Sequence, residues 1–200
     1  CPAWSVMAKN LFPEQANCIS MALTPMTLTA RLIKHHQPGA KVAFIGPCAA
    51  KKLEAMRRTV RSEVDFVLTF EEMAGIFEAR HIDVNTLKED PHGVNDASAD
   101  GRNFAVSGGV AQAVVNVIKE KYPDREIKVA NAEGLSECRK LMMMAKAGKY
   151  NGYLLEGMAC PGGCVAGAGT MQSIKKSSVA VNMYAKQAEH QVATGTHHVA

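Results

Sequence analysis

No run of eighteen apolar residues occurs in this 200-residue chain, which excludes a membrane-spanning helix, and its first residues do not read as a secretory signal. Aromatic residues make up only 6%, with a single tryptophan, and their spacing forms no base-stacking surface. An excess of one charge is also lacking. The 23 basic and 19 acidic residues leave +4, too little to argue for a nucleic-acid partner. Basic residues cluster only at Lys51-Lys52 and Arg57-Arg58-Thr59-Val60-Arg61, which reads as a solvated helix face rather than a docking patch. Six cysteines are too few for a disulfide scaffold of this length and suit ligand roles in a reducing cytoplasm. The chain opens on Cys1 rather than methionine, as expected of one part of a longer polypeptide. What is present is ample apolar material: 47% hydrophobic residues can bury the core of one domain or of two small lobes.

The apolar residues fall into a strand-then-helix alternation, which predicts an α/β fold with mainly parallel sheet. Lys41–Ile45 reads as a strand stopped by Gly46-Pro47, followed by a helix from Ala49 to Val60. Val64–Leu68 reads as a second strand, and Thr69 as the cap of a helix from Phe70 to Ala79 with Glu71 and Glu72 in its first turn. The polar stretch 83–103, with Pro91 and Gly93, reads as a long surface loop and as the boundary between two lobes. The second half repeats the alternation. A helix from Val110 to Lys121, a strand at Ile127–Ala130, a helix from Leu135 to Ala147 and a strand at Tyr153–Leu155 are expected. A last helix from Ser178 to Val192 and a frayed tail from Thr194 complete the pattern. The run Leu141-Met142-Met143-Met144 reads as core packing.

Two cysteine motifs follow predicted strands, where open parallel sheets place their ligand sites. Cys160 and Cys164 lie in the glycine-rich loop Glu156-Gly157-Met158-Ala159-Cys160-Pro161-Gly162-Gly163-Cys164, where small residues let the backbone come close to a bound group. Cys48 lies where a strand turns into a helix, a position whose N–H groups favour a thiolate. Lys51, three residues on, is either a donor to an anionic ligand at that site or a surface lysine, and Glu54 reads as a helix ion-pair partner. Cys1 stands beside Pro2 and Trp4, which wall its sulfur, although a chain end can also fray. Cys18 and Cys138 have no companion at ligand spacing and read as buried, inert thiols. Four candidate thiolates remain, Cys1, Cys48, Cys160 and Cys164, suited to structural zinc or to an iron–sulfur cluster. Only one pair is close in sequence, and such dispersed ligands favour iron–sulfur.

Together these residues resemble the catalytic domain of the iron-only (FeFe) hydrogenases. Cys1-Pro2-Ala3-Trp4 matches the end of a Cys-Cys-Pro-x-Trp signature. Pro47-Cys48-Ala49-Ala50-Lys51-Lys52-Leu53-Glu54 matches Pro-Cys-x-x-Lys-x-x-Glu. Glu156 to Cys164 matches Glu-x-Met-x-Cys-x-x-Gly-Cys. The segments Phe104–Val110 and Val129–Leu135 are similar to the family as well.

The resemblance implies two lobes of mainly parallel sheet flanked by helices, truncated at the N-terminus, with residues 1–200 forming part of an H-cluster domain and the cluster site between the lobes. The H-cluster is a 4Fe–4S cubane joined to a diiron unit with CO, CN and dithiolate ligands. Cys1, Cys48, Cys160 and Cys164 would ligate the cubane, with Cys164 bridging to the diiron unit. Lys51 would hydrogen-bond a cyanide, while Met158 and Phe104 would pack around the diiron unit. Thr24 and Glu54 would take places in a proton path. The implied activity is reversible conversion of hydrogen to protons and electrons. Its implied partners are ferredoxin or an upstream iron–sulfur domain, and maturation proteins. Departures accompany the resemblance. The proton-relaying cysteine that precedes the first signature's ligand lies outside this chain. Gly46 replaces a methionine, and Gly167-Ala168-Gly169-Thr170 replaces Gly-Gly-Gly-Gln. They are similar to the divergent, sensory branches of the family. Two alternatives therefore accompany the enzyme: a hydrogen sensor, and an iron–sulfur electron-transfer module without a diiron site.

Overall fold

The computed structural model describes residues 1–88 and 96–196. Residues 89–95, within the predicted loop 83–103, and the tail residues 197–200 lie outside the described residues. The chain divides into two compact units: Cys1–Thr86 with Gly167–Met171, and Leu87–Ala166 with Gln172–Ala200.

The first unit begins with two helices that the apolar pattern did not reveal, α1 (Pro2–Leu11) and α2 (Pro25–His36), separated by a 3₁₀ turn at Pro13–Cys18. Each of the three starts on a proline, whose fixed φ suits a first helical position and whose missing N–H costs nothing there. Pro2, Ala8, Met26, Thr27 and Ala30 are the buried residues of α1 and α2, and Phe12 is buried just after α1. Cys18, expected to be buried, is exposed, because it closes a surface 3₁₀ turn in which no residue is buried.

Strands β1 (Ala43–Gly46) and β2 (Phe66–Thr69) pair in parallel, Ala43 with Phe66 through Gly46 with Thr69. Asp65 anchors the entrance to this sheet. Its carboxylate accepts from the Val42 amide at 2.8 Å and meets the Lys34 and Lys41 ammonium groups at 2.8 and 3.2 Å. The Lys34 bond above all holds the Asp65 carboxyl well below the usual carboxylate range. Helix α3 (Ala50–Met56) is shorter than the predicted Ala49–Val60. A tight turn ends it. The Ser62 hydroxyl donates to the Ala55 carbonyl, and Arg31 donates to the carbonyls of Val60 (2.6 Å) and Arg61 (3.1 Å). Arg61 and Glu63 adopt φ of 47° and 60° there, left-handed values that bulky residues seldom take. Helix α4 (Phe70–Ala79) has the predicted Thr69 cap, completed by Glu72 into a capping box. Glu72 also binds Lys52 of α3 at 2.7 Å, the chief reason its carboxyl is lowered.

The second unit contains α5 (Ala99–Arg102), α6 (Gly109–Lys121), β3 (Lys128–Glu133), α7 (Leu135–Lys146), β4 (Tyr153–Met158) and α8 (Ile174–Lys186). Strands β3 and β4 are parallel, Lys128 opposite Tyr153 and Glu133 opposite Met158. The final helix starts and ends earlier than Ser178–Val192. The carbonyls of His190 and Gln191 instead accept from the Ala99 and Asp100 amides that open α5. The methionine run is only partly core: Leu141 and Met142 are buried, but Met143 is 53% exposed. Consecutive residues point about 100° apart around a helix, so four in a row cannot share one face. Both sheets are small, and the fold is α/β with parallel strands, as expected.

Candidate metal centre

In the first unit, the turn after β1 carries Cys48 two residues beyond Gly46 and leads directly into α3. Cys48 is half-buried, and its carbonyl accepts the Lys51 amide at 3.3 Å. Lys51 is not a surface lysine. Its Nζ lies 2.6 Å from Glu54 Oε2, with the two side chains only 13% and 8% exposed. An ammonium has three donors, so this pair leaves two for other partners. Gly46 is buried, and a Cβ there would lie 2.7 Å from the Phe44 ring, so Phe44 fills the space a larger residue would need. The altered end of the third signature folds onto the same turn. Gly169 donates to the Pro47 carbonyl at 2.9 Å, and a Cβ on it would lie 2.3 Å from Thr69 Cβ.

Cys1 caps α1 and is exposed. It lines a cavity of about 400 Å³ together with Trp4, Thr24, Thr27 and Glu54. The Thr24 hydroxyl donates to that of Thr27, which is fully buried.

In the second unit, β4 runs on through Met158, three residues past the predicted Leu155, and Cys160 follows two residues later. Gly163 N donates to Cys160 O at 3.0 Å, closing a turn with φ of 87° at Gly162 and 95° at Gly163. No other residue fits at Gly163. A Cβ would lie 2.6 Å from Ser107 N and 2.7 Å from Ala105 O. Ser107 N in turn donates to Gly162 O at 3.1 Å, so the segment carrying the half-buried Phe104 is stitched to the cysteine loop. Cys164 opens a 3₁₀ turn to Ala166. Met158 is buried, and its carbonyl accepts from the Gly134 amide at 2.8 Å and from the Cys138 thiol at 3.5 Å. Cys138 is fully buried, which pushes its thiol pKa up.

Two carboxylates to which sequence context assigned no role tie down β4 and the loop that follows it. Glu156, on β4, accepts from the amides of Gly108 and Ala111, both at 2.6 Å, at the start of α6. These are charge-assisted bonds to helix N–H groups that have no partner within the helix. Glu133, at the end of β3, accepts the Gly162 amide. An acidic residue at the end of a parallel strand, just before Gly134, was the only signal available for it.

The sequence-predicted residues thus fall into two sets. Cys1, Thr24, Cys48, Lys51 and Glu54 belong to the first unit; Phe104, Met158, Cys160 and Cys164 to the second. Among the described residues, no three or more Cys, His, Asp or Glu side chains are grouped to hold a metal ion. In donor chemistry the four thiols, two of them on a loop with no room for bulky neighbours, fit an iron–sulfur cluster. No helix among the described residues is long and apolar enough to cross a membrane.

Comparison with known proteins matches residues 1–168 to the model of the family described as iron only hydrogenase large subunit, C-terminal domain. The periplasmic Fe hydrogenase large subunit of Nitratidesulfovibrio vulgaris is 29% identical over 212 residues, covering 84% of this chain and 50% of that protein. A cytosolic Fe-S cluster assembly factor of Kluyveromyces lactis is 25% identical over 136 residues, covering 64% of this chain and 29% of its own length. The chain therefore spans half or less of the curated relatives it matches. Among solved structures, an apo FeFe hydrogenase from Chlamydomonas reinhardtii shares the fold with a TM-score of 0.77 at 20% identity, covering all of this chain and 68% of that one.

Proposed function

The chain belongs to the iron-only hydrogenase large-subunit family, as its C-terminal domain, and from that premise we propose that it takes part in reversible hydrogen oxidation. The observation that carries this reading is the same in both units: a cysteine stands two residues past the end of a parallel strand, Cys48 after Gly46 and Cys160 after Met158. The proposed cofactor is the H-cluster, whose cubane Cys1, Cys48, Cys160 and Cys164 would hold as thiolates, with Cys164 also serving its diiron unit. When bound, that group supplies the interconversion of hydrogen with protons and electrons.

The chain's own residues then position, shield and protonate. Lys51, held by Glu54, keeps two ammonium donors for a cyanide ligand, a charge-assisted bond. Met158 and Phe104 keep water from the diiron unit. Thr24 and Glu54, which line one cavity, carry protons. Glu133 and Glu156 fix the backbone that presents Cys160 and Cys164. Electrons pass to ferredoxin or to an upstream iron–sulfur domain, maturation proteins deliver the diiron unit, and the proposed compartment is the cytoplasm.

Reconstitution with iron, sulfide and a synthetic diiron complex tests this reading. Infrared bands of bound CO and CN, and hydrogen evolution from reduced methyl viologen, are the expected results. Bands without turnover would replace the enzyme with a sensor, a role favoured by Gly46 and by the altered third signature. The absence of bands in a protein that nonetheless holds a cubane would favour a second reading, an iron–sulfur module without a diiron site. The similarity to a cytosolic Fe-S cluster assembly factor supports that alternative.

A further inference from the structure

The first unit's cavity has a charge that the redox reading does not use. Lys9 from α1, Arg31 from α2 and Arg57 from the turn after α3 all line the same space of about 400 Å³. Glu54 is the one acid among its lining residues, and its carboxylate is already matched by Lys51 at 2.6 Å. Arg57 and Lys9 have no side-chain hydrogen bond or ion pair among the described residues. Arg31 spends Nε and one Nη on the carbonyls of Arg61 and Val60, so its other Nη keeps its donors.

Three cations from three separate elements therefore line one cavity in which Glu54, already paired with Lys51, is the one acid among the lining residues. Like charges gathered around one concave space favour an anion between them. Neutral donors accompany them, since the hydroxyls of Ser20 and Thr59 line the same space. The volume falls within the range of small-molecule sites. Arg31 also fixes the position of the Arg57 turn, because the carbonyls it holds lie three and four residues beyond Arg57. Part of the cavity is thereby built before a ligand arrives.

We propose that this cavity binds a tetrahedral oxyanion, either free inorganic phosphate or the phosphate group of a small phosphomonoester. Planar guanidinium donors with nearby hydroxyls and an ammonium match phosphate oxygens in geometry and charge. The inference requires no cluster and does not rest on the hydrogenase reading. It is tested in iron-free protein, so its failure and the failure of that reading are separate results.

Trp4, the chain's only tryptophan, lines the cavity and reports directly on its contents. Tryptophan fluorescence and isothermal titration calorimetry are followed while inorganic phosphate or glycerol phosphate is added at constant ionic strength, with chloride as the control. Saturable binding is expected for the phosphates and not for chloride. Arg57→Gln should weaken it about tenfold or more, with Arg57→Lys and Lys9→Gln losing less. Tighter binding of glycerol phosphate would identify an organic phosphate as the ligand, and equal binding would identify the free anion. The absence of saturable heat and fluorescence change with either phosphate overturns the proposal. An unchanged affinity in a folded Arg57→Gln variant does the same.

Discussion

The two units solve one task by opposite electrostatic means. Each has a two-stranded parallel sheet whose chain leaves a strand end and reaches a cysteine two residues later. In the first unit the cysteine leads into a helix, and a half-buried cation three residues on, Lys51, is held by its own helix partner Glu54. In the second the cysteine enters an irregular loop, and two anions, Glu133 and Glu156, hold the surrounding backbone amides. In the first unit a side chain of the same helix places the charge. In the second, strand carboxylates accept backbone amides that lack local partners, Gly162 in the glycine loop and Gly108 and Ala111 at the start of α6. Similar strand ends can therefore present thiols beside a cation in one unit and beside anions in the other unit.

Substitutions that remove one means at a time sharpen this contrast. The largest effect is expected from Lys51→Met, which strands a nearly buried Glu54 and should cost about 3–5 kcal/mol in chemical denaturation. Adding Glu54→Gln should restore much of that loss, because it removes the orphaned charge. Gly163→Ala should cost about 3 kcal/mol, since its methyl group would meet the Ser107 and Ala105 backbone at a φ of 95°. A cost equal to that of an exposed glycine substitution would contradict this packing. Glu156→Gln keeps one acceptor but sets its NH2 against the other amide donor and should lose about 2 kcal/mol, with the start of α6 the first region to loosen.

Smaller effects concern residues away from the cysteines. The Asp65 carboxyl is lowered chiefly by its bond to Lys34, so its contribution is present above its unfolded pKa and is lost as pH falls toward the folded value. Urea midpoints of the native protein and Asp65→Asn should therefore converge on acidification and separate near neutrality. The smallest effect is one of reactivity alone. In peptide-resolved alkylation under native conditions, exposed Cys18 should label quickly, while Cys138, buried and with a raised pKa, should stay protected until unfolding.

The alternation of apolar runs made β1, β2, β3, α4, α6 and α7 readable, because their apolar residues recur at strand or helix spacing between turn residues. The first thirty-six residues were opaque for a different reason: α1 and α2 bury small or isolated residues such as Ala8 and Ala30 while Leu28 and Leu32 stay exposed, so their large apolar residues do not mark the buried face. Their prolines at first positions were the usable sign. The ends of α3 and α8 depend on bonds from distant residues, Arg31 to Val60 and Ala99 to His190, which no local pattern contains. The same holds for the site. Placement after predicted strands made Cys48, Cys160 and Cys164 candidates, but the partners of Glu133 and Glu156 lie far along the chain. Cys18 misled because a cysteine without a ligand companion resembles a core residue, and only the surface 3₁₀ turn reveals its exposure.

The Glu156 clamp also carries a consequence for motion. The amides of Gly108 and Ala111 belong to α6 by position, yet their protons are held by a residue of β4. For these protons to exchange with solvent deuterium, the strand leading to Cys160 must release its carboxylate. Their exchange rates should therefore follow the opening of β4 rather than the fraying of the helix end. The first turn of α6 is then a kinetic readout of the cysteine loop, measurable without any metal bound.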